Sequence, residues 1–287
     1  MEGTQRRRWR IGGLILLAAI ALSFMAKPLA LYFAPMGIPS VTQGLALFFP
    51  LYGNLKDYSE NNVSLSYRWD RSFYNGGIRL SGEKLDFLQL EANSFKIPPN
   101  QDQTVSLWVR MPKLDRYQPV FWSGNRDNPQ QPIQALEINS MNQRIRYTVG
   151  GATRDFPFET SLQHFPVHLV ASVSFKNNRS RVYVSGKLLL EAPFKMENPG
   201  AVNQFLLGRW DSLEPSFKGN LGNFSFWDRE LSMEEAALIF LDQQNFQERW
   251  NLRYRVILGT LYLIAVILFY GAFRLYQNQG FFNRFLN

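Results

Sequence analysis

The 287-residue chain has a net charge of +8, no cysteine, and 46% apolar and 15% aromatic residues. This composition is sufficient for a packed core, and the lack of cysteine excludes a disulfide framework, thiol catalysis and cysteine-ligated metals. Residues 28–247 carry 21 Lys or Arg and 21 Asp or Glu, so the positive excess flanks two apolar segments. Because a nucleic-acid surface needs that charge on the folded domain, we expect no nucleic-acid partner.

The first apolar segment follows a basic tail, residues 1–10. Residues 11–26 are uncharged, and the apolar character continues past Lys27 to residue 34. A membrane-spanning helix needs about 20 apolar residues, so the sequence predicts a first transmembrane helix over residues 11–34. A cleaved signal peptide is the main alternative, with Ala21-Leu22-Ser23 as a small-x-small cleavage site. We expect the segment to be retained.

Residues 45–246 have the pattern of a β domain. Apolar residues alternate with polar ones in TVSLWVR (Thr104–Arg110), RIRYTV (Arg144–Val149) and VHLVASVSF (Val167–Phe175), with Gly, Asn and Pro clusters between such runs. In RIRYTV, Arg144, Arg146 and Thr148 are expected to face outward. Period-two alternation with turn clusters is typical of a β-sandwich. After the last strand, Ser232 and Glu235 have capping-box spacing and predict the start of a short helix.

The second apolar segment predicts a transmembrane helix over residues 256–275, followed by a tail, residues 276–287. Its uncharged run, residues 256–273, is bracketed by Arg255 and Arg274. Two spans place both termini on one side of the membrane. The N-terminal arginine cluster favours cytoplasmic termini, although Arg249, Arg253 and Arg255 favour the opposite orientation. We therefore expect an integral two-pass protein whose β domain is periplasmic or extracellular.

Five stretches, in order, resemble laminin-G-like (concanavalin A-like lectin/glucanase) domains. They are FFPLYGNLKDYSENN (Phe48–Asn62), GGIRLSGEKLDFLQL (Gly76–Leu90), TVSLWVR, the hairpin His168–Ala192, and the closing Phe205–Phe240 with its Asp-Arg turn and Leu-Ser. The resemblance covers about 200 residues. It implies an all-β, antiparallel jelly-roll β-sandwich, here with a transmembrane helix at each end.

The resemblance also implies a candidate calcium site, because many such domains bind one Ca²⁺ through the opening loop and the closing strand. The opening loop offers Asp57, Glu60 and Asn61, and oxygen ligands of this kind suit Ca²⁺. The closing strand has Gly222-Asn223 where the family often carries an Asp-Glu pair. That departure removes the most acidic part of the site, so a solvated turn is the alternative interpretation.

Aromatic residues in or beside loops are candidate contacts for a ligand or a protein partner: Tyr117, Trp122 and Trp210. Burial at a sheet edge is the interpretation that we favour for these side chains over contact with a partner. Enzymes with this fold use carboxylates spaced Glu-x-Asp-x-x-Glu, a pattern that the sequence lacks. Glu137 is expected to face solvent, and His168 is expected to have a structural role. The sequence therefore predicts a chain without catalytic activity.

Three functions remain open at this point. The first is a membrane-anchored accessory subunit that docks its jelly roll on protein partners of a membrane complex. The second is a membrane-tethered lectin that binds extracellular or periplasmic glycans. A glycoside hydrolase is the third. Shared fold carries little information about function, so the choice depends on the site.

Overall fold

The computed structural model describes residues 11, 13–26, 39–51, 54–67, 77–83, 86–90, 95–125, 128, 131–160, 162, 166–196, 200–210 and 216–285. The chain divides into two compact units. One is Gly37–Phe246, and the other comprises Met1–Met36 and Gln247–Asn287. The predicted basic tail, residues 27–34 of the predicted first span, His164 and the last two residues lie outside the described residues.

The unit Gly37–Phe246 is built from strands, of which the described residues form fourteen. They are β1 (Leu45–Phe49), β2 (Leu65–Tyr67), β3 (Ile78–Ser81), β4 (Leu88–Leu90), β5 (Gln103–Arg110), β6 (Gln118–Gly124), β7 (Pro132–Asn139), β8 (Arg144–Val149), β9 (Ala152–Pro157), β10 (Val167–Ser174), β11 (Arg179–Val184), β12 (Lys187–Pro193), β13 (Gln204–Leu207) and β14 (Lys218–Trp227).

The strands form two seven-stranded sheets. Sheet I has the order β1-β14-β5-β10-β11-β12, with β3 paired to the first half of β14. Sheet II has the order β2-β4-β13-β6-β7-β8-β9. The pairings between these strands are antiparallel. The predicted antiparallel β-sandwich is confirmed, and the arrangement is consistent with a jelly roll.

The core lies between the inner faces of the two sheets. Phe205 of sheet II packs edge-on against Phe226 of sheet I, with ring centroids 5.2 Å apart. The apolar residues of RIRYTV, Ile145, Tyr147 and Val149, are buried in this core. Side chains alternate between the faces of a strand, so Arg144, Arg146 and Thr148 point to the outer face of sheet II.

The closing segment follows the sequence prediction. The backbone N–H of Ser232 donates to Glu235 Oε2 (2.9 Å), and the Glu235 N–H donates to Ser232 Oγ (3.2 Å). This reciprocal pair is a capping box and satisfies two N–H groups at the helix start. Arg229 donates two hydrogen bonds to the Glu235 carboxylate. The predicted helix start after the Asp-Arg turn is confirmed.

The helix that begins there is longer than predicted. The sequence suggested a short closing helix and a separate span from residue 256, whereas the structure has one helix, α2, over Met233–Phe285. Residues 233–258 contain neither Gly nor Pro, so no residue type that ends a helix separates the two parts. The earlier helix α1 comprises Gly13–Ala26.

Within the described residues, one helical segment is long and apolar enough to cross a membrane. It is Arg255–Arg274 of α2, with a mean hydropathy of 2.3. This segment corresponds to the predicted second span. Helix α1 is apolar but shorter than the roughly 20 residues that a span needs.

Candidate functional site

The outer face of sheet II carries a row of charged side chains across β7, β8 and β9. Glu137, Arg146 and Asp155 are direct cross-strand neighbours. Arg146 lies between the two carboxylates, with its guanidinium nitrogens 3.7 Å from Glu137 Oε2 and 3.8 Å from Asp155 Oδ2. Arg144 binds the same Asp155 through Nε. The result is an ordered, partly exposed network of alternating charge.

Tyr117 completes this network from the loop before β6. The guanidinium carbon of Arg146 lies 3.6 Å from the centroid of the Tyr117 ring, a cation–π contact. The Tyr117 hydroxyl donates a hydrogen bond to Asp155 Oδ2. Partial burial, together with this carboxylate, raises the pKa of Tyr117. We call Tyr117, Glu137, Arg144, Arg146 and Asp155 the charged cluster.

The pKa of Asp155 results from opposing effects. Partial burial raises the pKa of the carboxyl, but hydrogen bonds from Tyr117 and Arg144 and the positive charge of Arg144 and Arg146 outweigh it. The net effect is a pKa below the ordinary value for aspartate. Asp155 is therefore ionised throughout the physiological range and orients the groups around it.

An apolar cluster lies on the same outer face. Trp122 of β6 packs with Ala135 of β7, Leu206 of β13 and Phe87, and the partly exposed Trp210 packs against this group. The Arg209 guanidinium lies over the Phe87 ring, 4.6 Å from its centroid. Gly124 is required beneath Trp122, because a Cβ there would lie 2.8 Å from the indole ring.

The structure places Tyr117, Trp122 and Trp210 on one face, but with different exposure. Trp122 is only 1% exposed, and its indole Nε1 has no hydrogen-bond partner among the described residues. It supports the surface from below and is not itself open to a ligand. Tyr117 and Trp210 are partly exposed. Their role in binding stays a prediction.

Sequence reasoning missed the partners that organise this face. Alternation correctly predicted that Arg144 and Arg146 face outward, but it did not identify Asp155 and Arg209 as candidate site residues. Their importance depends on which strands are neighbours and in which register. The nearest sequence signal is the polar run Thr153-Arg154-Asp155 in an otherwise alternating hairpin.

The candidate calcium residues do not converge on one point. Asp57 is 3% exposed. Its Oδ1 accepts hydrogen bonds from the N–H groups of Phe48 and Ser59, and its Oδ2 accepts from Ser59 Oγ and the Val63 N–H, all at 2.8–3.0 Å. A carboxylate has about four acceptor positions, so the protein's own donors occupy the capacity that a cation would need.

The other two candidates in that loop also differ from the predicted arrangement. Glu60 is exposed, and the Asn61 side-chain amide donates to the Ala46 carbonyl. The predicted Ca²⁺ set therefore does not fit this loop. Asp57 instead ties the loop to β1, and Asn223 on the closing strand is buried.

His168 lies on the outer face of sheet I, beneath the first turns of α2. Its Nε2 is 2.7 Å from Ser106 Oγ, and its ring stacks on Phe240 of the helix. Beside it the Trp108 Nε1–H donates to Gln243 Oε1 at 2.6 Å. Complete burial lowers the pKa of His168 to about 3. The imidazole is thus a neutral packing residue.

The family model of the concanavalin A-like lectin/glucanases superfamily matches residues 84–237, just over half of the chain. No curated protein matches the sequence. Among solved structures, the receptor-binding domain of botulinum neurotoxin D is similar, with a TM-score of 0.58, 14% identity, and coverage of 71% of this chain and 54% of that chain. The type G receptor-binding domain gives a TM-score of 0.56, 15% identity, and coverage of 70% and 52%.

A further similar structure is the botulinum neurotoxin D ligand-binding domain in complex with N-acetylneuraminic acid (TM-score 0.58, 14% identity, coverage 71% and 52%). The chain spans about half the length of these structures. At this identity the similarity shows the fold alone.

Proposed function

The chain belongs to the concanavalin A-like lectin/glucanases superfamily, and we propose that it is a membrane-anchored binding module without catalytic activity. Its jelly roll, residues 45–246, docks on protein partners at the membrane surface, as an accessory subunit of a membrane complex. The contact surface is the outer face of sheet II, around the charged cluster and Trp210.

The observation that carries this proposal is the pre-ordered stack of Arg146 on Tyr117, held by Asp155. Tyr, Trp and Arg are the residue types enriched at the energetic centres of protein interfaces. Here a partly exposed Arg and a partly exposed Tyr are held by neighbours, so less rotamer freedom is lost when a partner binds. Trp210 and Arg209 add an aromatic and a cationic group to the same face.

The chemistry of the two carboxylates supports a role without catalysis. A glycosidase needs one carboxylic acid with a raised pKa to protonate the leaving oxygen. The pKa of Asp155 is instead lowered by its partners. Arg146 lies between Glu137 and Asp155, where an enzyme of this class would hold the sugar.

Two features support membrane anchoring. The segment Arg255–Arg274 is apolar over 20 residues. The Ser23 and Thr260 hydroxyls donate back to the carbonyls of Ala19 and Val256 in their own helices, both at 2.8 Å. Such internal pairing is what a lipid environment demands. We place both helices in the bilayer, the termini in the cytoplasm and the jelly roll outside.

Glycan binding is the second candidate, because the superfamily includes lectins and one similar structure carries N-acetylneuraminic acid. The geometry is less favourable to it. Sugar recognition uses an open aromatic face, whereas one face of Tyr117 is covered by Arg146 and Trp122 is buried.

Co-purification and a glycan array separate protein docking from glycan binding, and reporter fusions test the membrane topology. Extraction of the full chain from native membranes in mild detergent, followed by identification of co-purifying chains, should yield stoichiometric protein partners. A lone species that binds a glycan array would contradict docking and support the lectin. Reporter fusions within residues 100–200 test the side of the membrane, and a cytoplasmic signal would overturn the topology.

A further inference from the structure

Helix α1 has one buried stripe. Among its described residues, Ala19 and Ala26 are buried, with 2% and 0% exposure, and Ile15 and Leu22 are half-buried. The remaining described positions of this helix are exposed. The four stripe residues are separated by four, three and four positions. This is the 3.5-residue spacing of a helix that packs along one seam against another helix.

The apolar part of α2 has a matching stripe. Ala265 and Ala272 are buried, with 4% and 7% exposure. Leu258, Leu261 and Leu268 are half-buried, and together with the two alanines they recur at intervals of three and four residues; Ile257 and Gly271 beside them are half-buried too. Each helix therefore repeats alanine every seven residues, with larger aliphatic residues between the alanines.

One alanine of each stripe, Ala19 and Ala265, borders the same cavity, so the two helices lie side by side. A cavity of about 360 Å³ beside them is lined by residues of both helices, including Ala19 and Ser23 from α1 and Ala265 and Phe269 from α2. Small residues allow two helix backbones to approach closely, which is how helices associate in membranes without a hydrophobic driving force.

We infer that α1 is not a cleaved signal peptide but the permanent partner of α2 in a two-helix membrane anchor. The two helices are joined along the two stripes, which we call the seam. The inference rests on the membrane anchoring in the proposed function and adds its architecture. A signal sequence needs only apolar character, whereas α1 has a buried stripe whose Ala19 borders the same cavity as Ala265 of α2. Cleavage near Ala21-Leu22-Ser23 would divide this seam between Ala19 and Ala26.

The absence of cysteine makes the seam directly testable, because any introduced pair is the only pair. In the full chain in membranes, Ala19→Cys is combined with Ala265→Cys. The matched control combines Leu17→Cys with Ile267→Cys, at positions 64% and 59% exposed on the opposite sides of the helices. After mild oxidation, cleavage at methionine leaves residues 17 and 19 in fragment 2–25 and residues 265 and 267 in fragment 234–287.

We expect the Ala19→Cys and Ala265→Cys pair to join these two fragments by a disulfide in most molecules. The uncleaved chain should still run as a monomer. In the control pair, the fraction of molecules with this disulfide should be at least tenfold lower. Equal linkage of both pairs, or linkage only between chains, would overturn the inference. The wild-type chain provides an independent check, since its mass after extraction should include residues 1–26. An N terminus that begins after Ser23 would overturn the inference even if a variant misfolds. If the seam pair forms no disulfide but the chain still binds its protein partner, the inference about the helices fails and the proposed function stands.

Discussion

Arg146 lies over the Tyr117 ring, with the guanidinium carbon 3.6 Å from the ring centroid, on the outer face of sheet II. Asp155 holds both partners of this contact, because it accepts a hydrogen bond from the Tyr117 hydroxyl and attracts the Arg146 guanidinium. A cation and an aromatic ring are thus presented together in a fixed geometry. This relationship is the basis of the proposed docking surface, and the predictions below concern it and its support.

Trp122 and Trp210 should respond differently to truncation. Trp122→Ala removes a buried indole and should cost about 3–5 kcal/mol, which lowers Tm by about 10 °C for a domain of this size. Trp210→Ala removes a partly exposed ring and should lower Tm far less while reducing partner recovery. Thermal unfolding of the full chain in detergent gives both shifts. Equal shifts would show that Trp122 does not support the surface from below.

The contribution of Asp155 to the free energy of unfolding should depend on pH. Its pKa is lowered in the folded state, so its contribution is present above the unfolded pKa of about 4 and is lost as the pH falls through the folded value. Because the side chains are partly exposed, the effect should stay below about 1 kcal/mol. The stability gap between wild type and Asp155→Asn, measured by urea unfolding, should shrink from pH 7 to pH 3. A gap that widens in acid would contradict the network.

Asp57 should be a structural residue that does not respond to calcium. Asp57→Ala removes the acceptor of four hydrogen bonds and leaves the buried N–H groups of Phe48 and Val63 unpaired. It should destabilise the fold by about 3 kcal/mol. The exposed Glu60→Ala is the control and should have little effect. Added Ca²⁺ should leave the Tm of the wild type unchanged, and a Ca²⁺-dependent rise that Asp57→Ala abolishes would restore the metal site.

His168 should make the domain sensitive to mild acid. Burial lowers its folded pKa to about 3, while the unfolded value is about 6.5, so the unfolded chain takes up a proton first as the pH falls. The stability lost between pH 8 and pH 5 from this group is about 2 kcal/mol. In His168→Asn the stability profile from pH 7 to pH 5 should be flatter than in the wild type, whatever its absolute stability. An unchanged slope would show that the imidazole is not buried as a neutral group.

Part of this architecture follows directly from local sequence. Alternation in RIRYTV turns Ile145, Tyr147 and Val149 into the core and the two arginines outward, because side chains on a strand alternate between faces. The capping box at Ser232 is equally local. The run Pro119-Val120-Phe121-Trp122 does not alternate, since the β6–β7 pairing is irregular between Pro119 and Phe121. Burial was the favoured interpretation for Trp122, but the run does not alternate, so the pattern could not show which face of the sheet the indole occupies.

Other features depend on long-range pairing. The row Glu137–Arg146–Asp155 exists because three strands meet in one register, and no local pattern specifies which residues lie opposite. The opening loop shows a related limit. An Asp/Ser/Asn-rich loop can have the same sequence whether its carboxylate binds a cation or accepts hydrogen bonds from backbone N–H groups. Only the fold shows that Asp57 accepts from backbone N–H groups.

Recovery of co-purifying chains tests whether the charged cluster docks on a protein partner. Wild type, Arg146→Ala and the control Arg79→Ala, at an exposed arginine on β3 of sheet I, are extracted from membranes in mild detergent. Co-purifying chains are then quantified at equal amounts of the extracted protein. An interface hot spot contributes about 2 kcal/mol or more, which is about a thirtyfold loss of affinity.

We expect stoichiometric partners for wild type and Arg79→Ala and strongly reduced recovery for Arg146→Ala, with the stabilities of the three proteins within about 1 kcal/mol of one another. Equal recovery for all three, or no partner for the wild type, would contradict docking through this face.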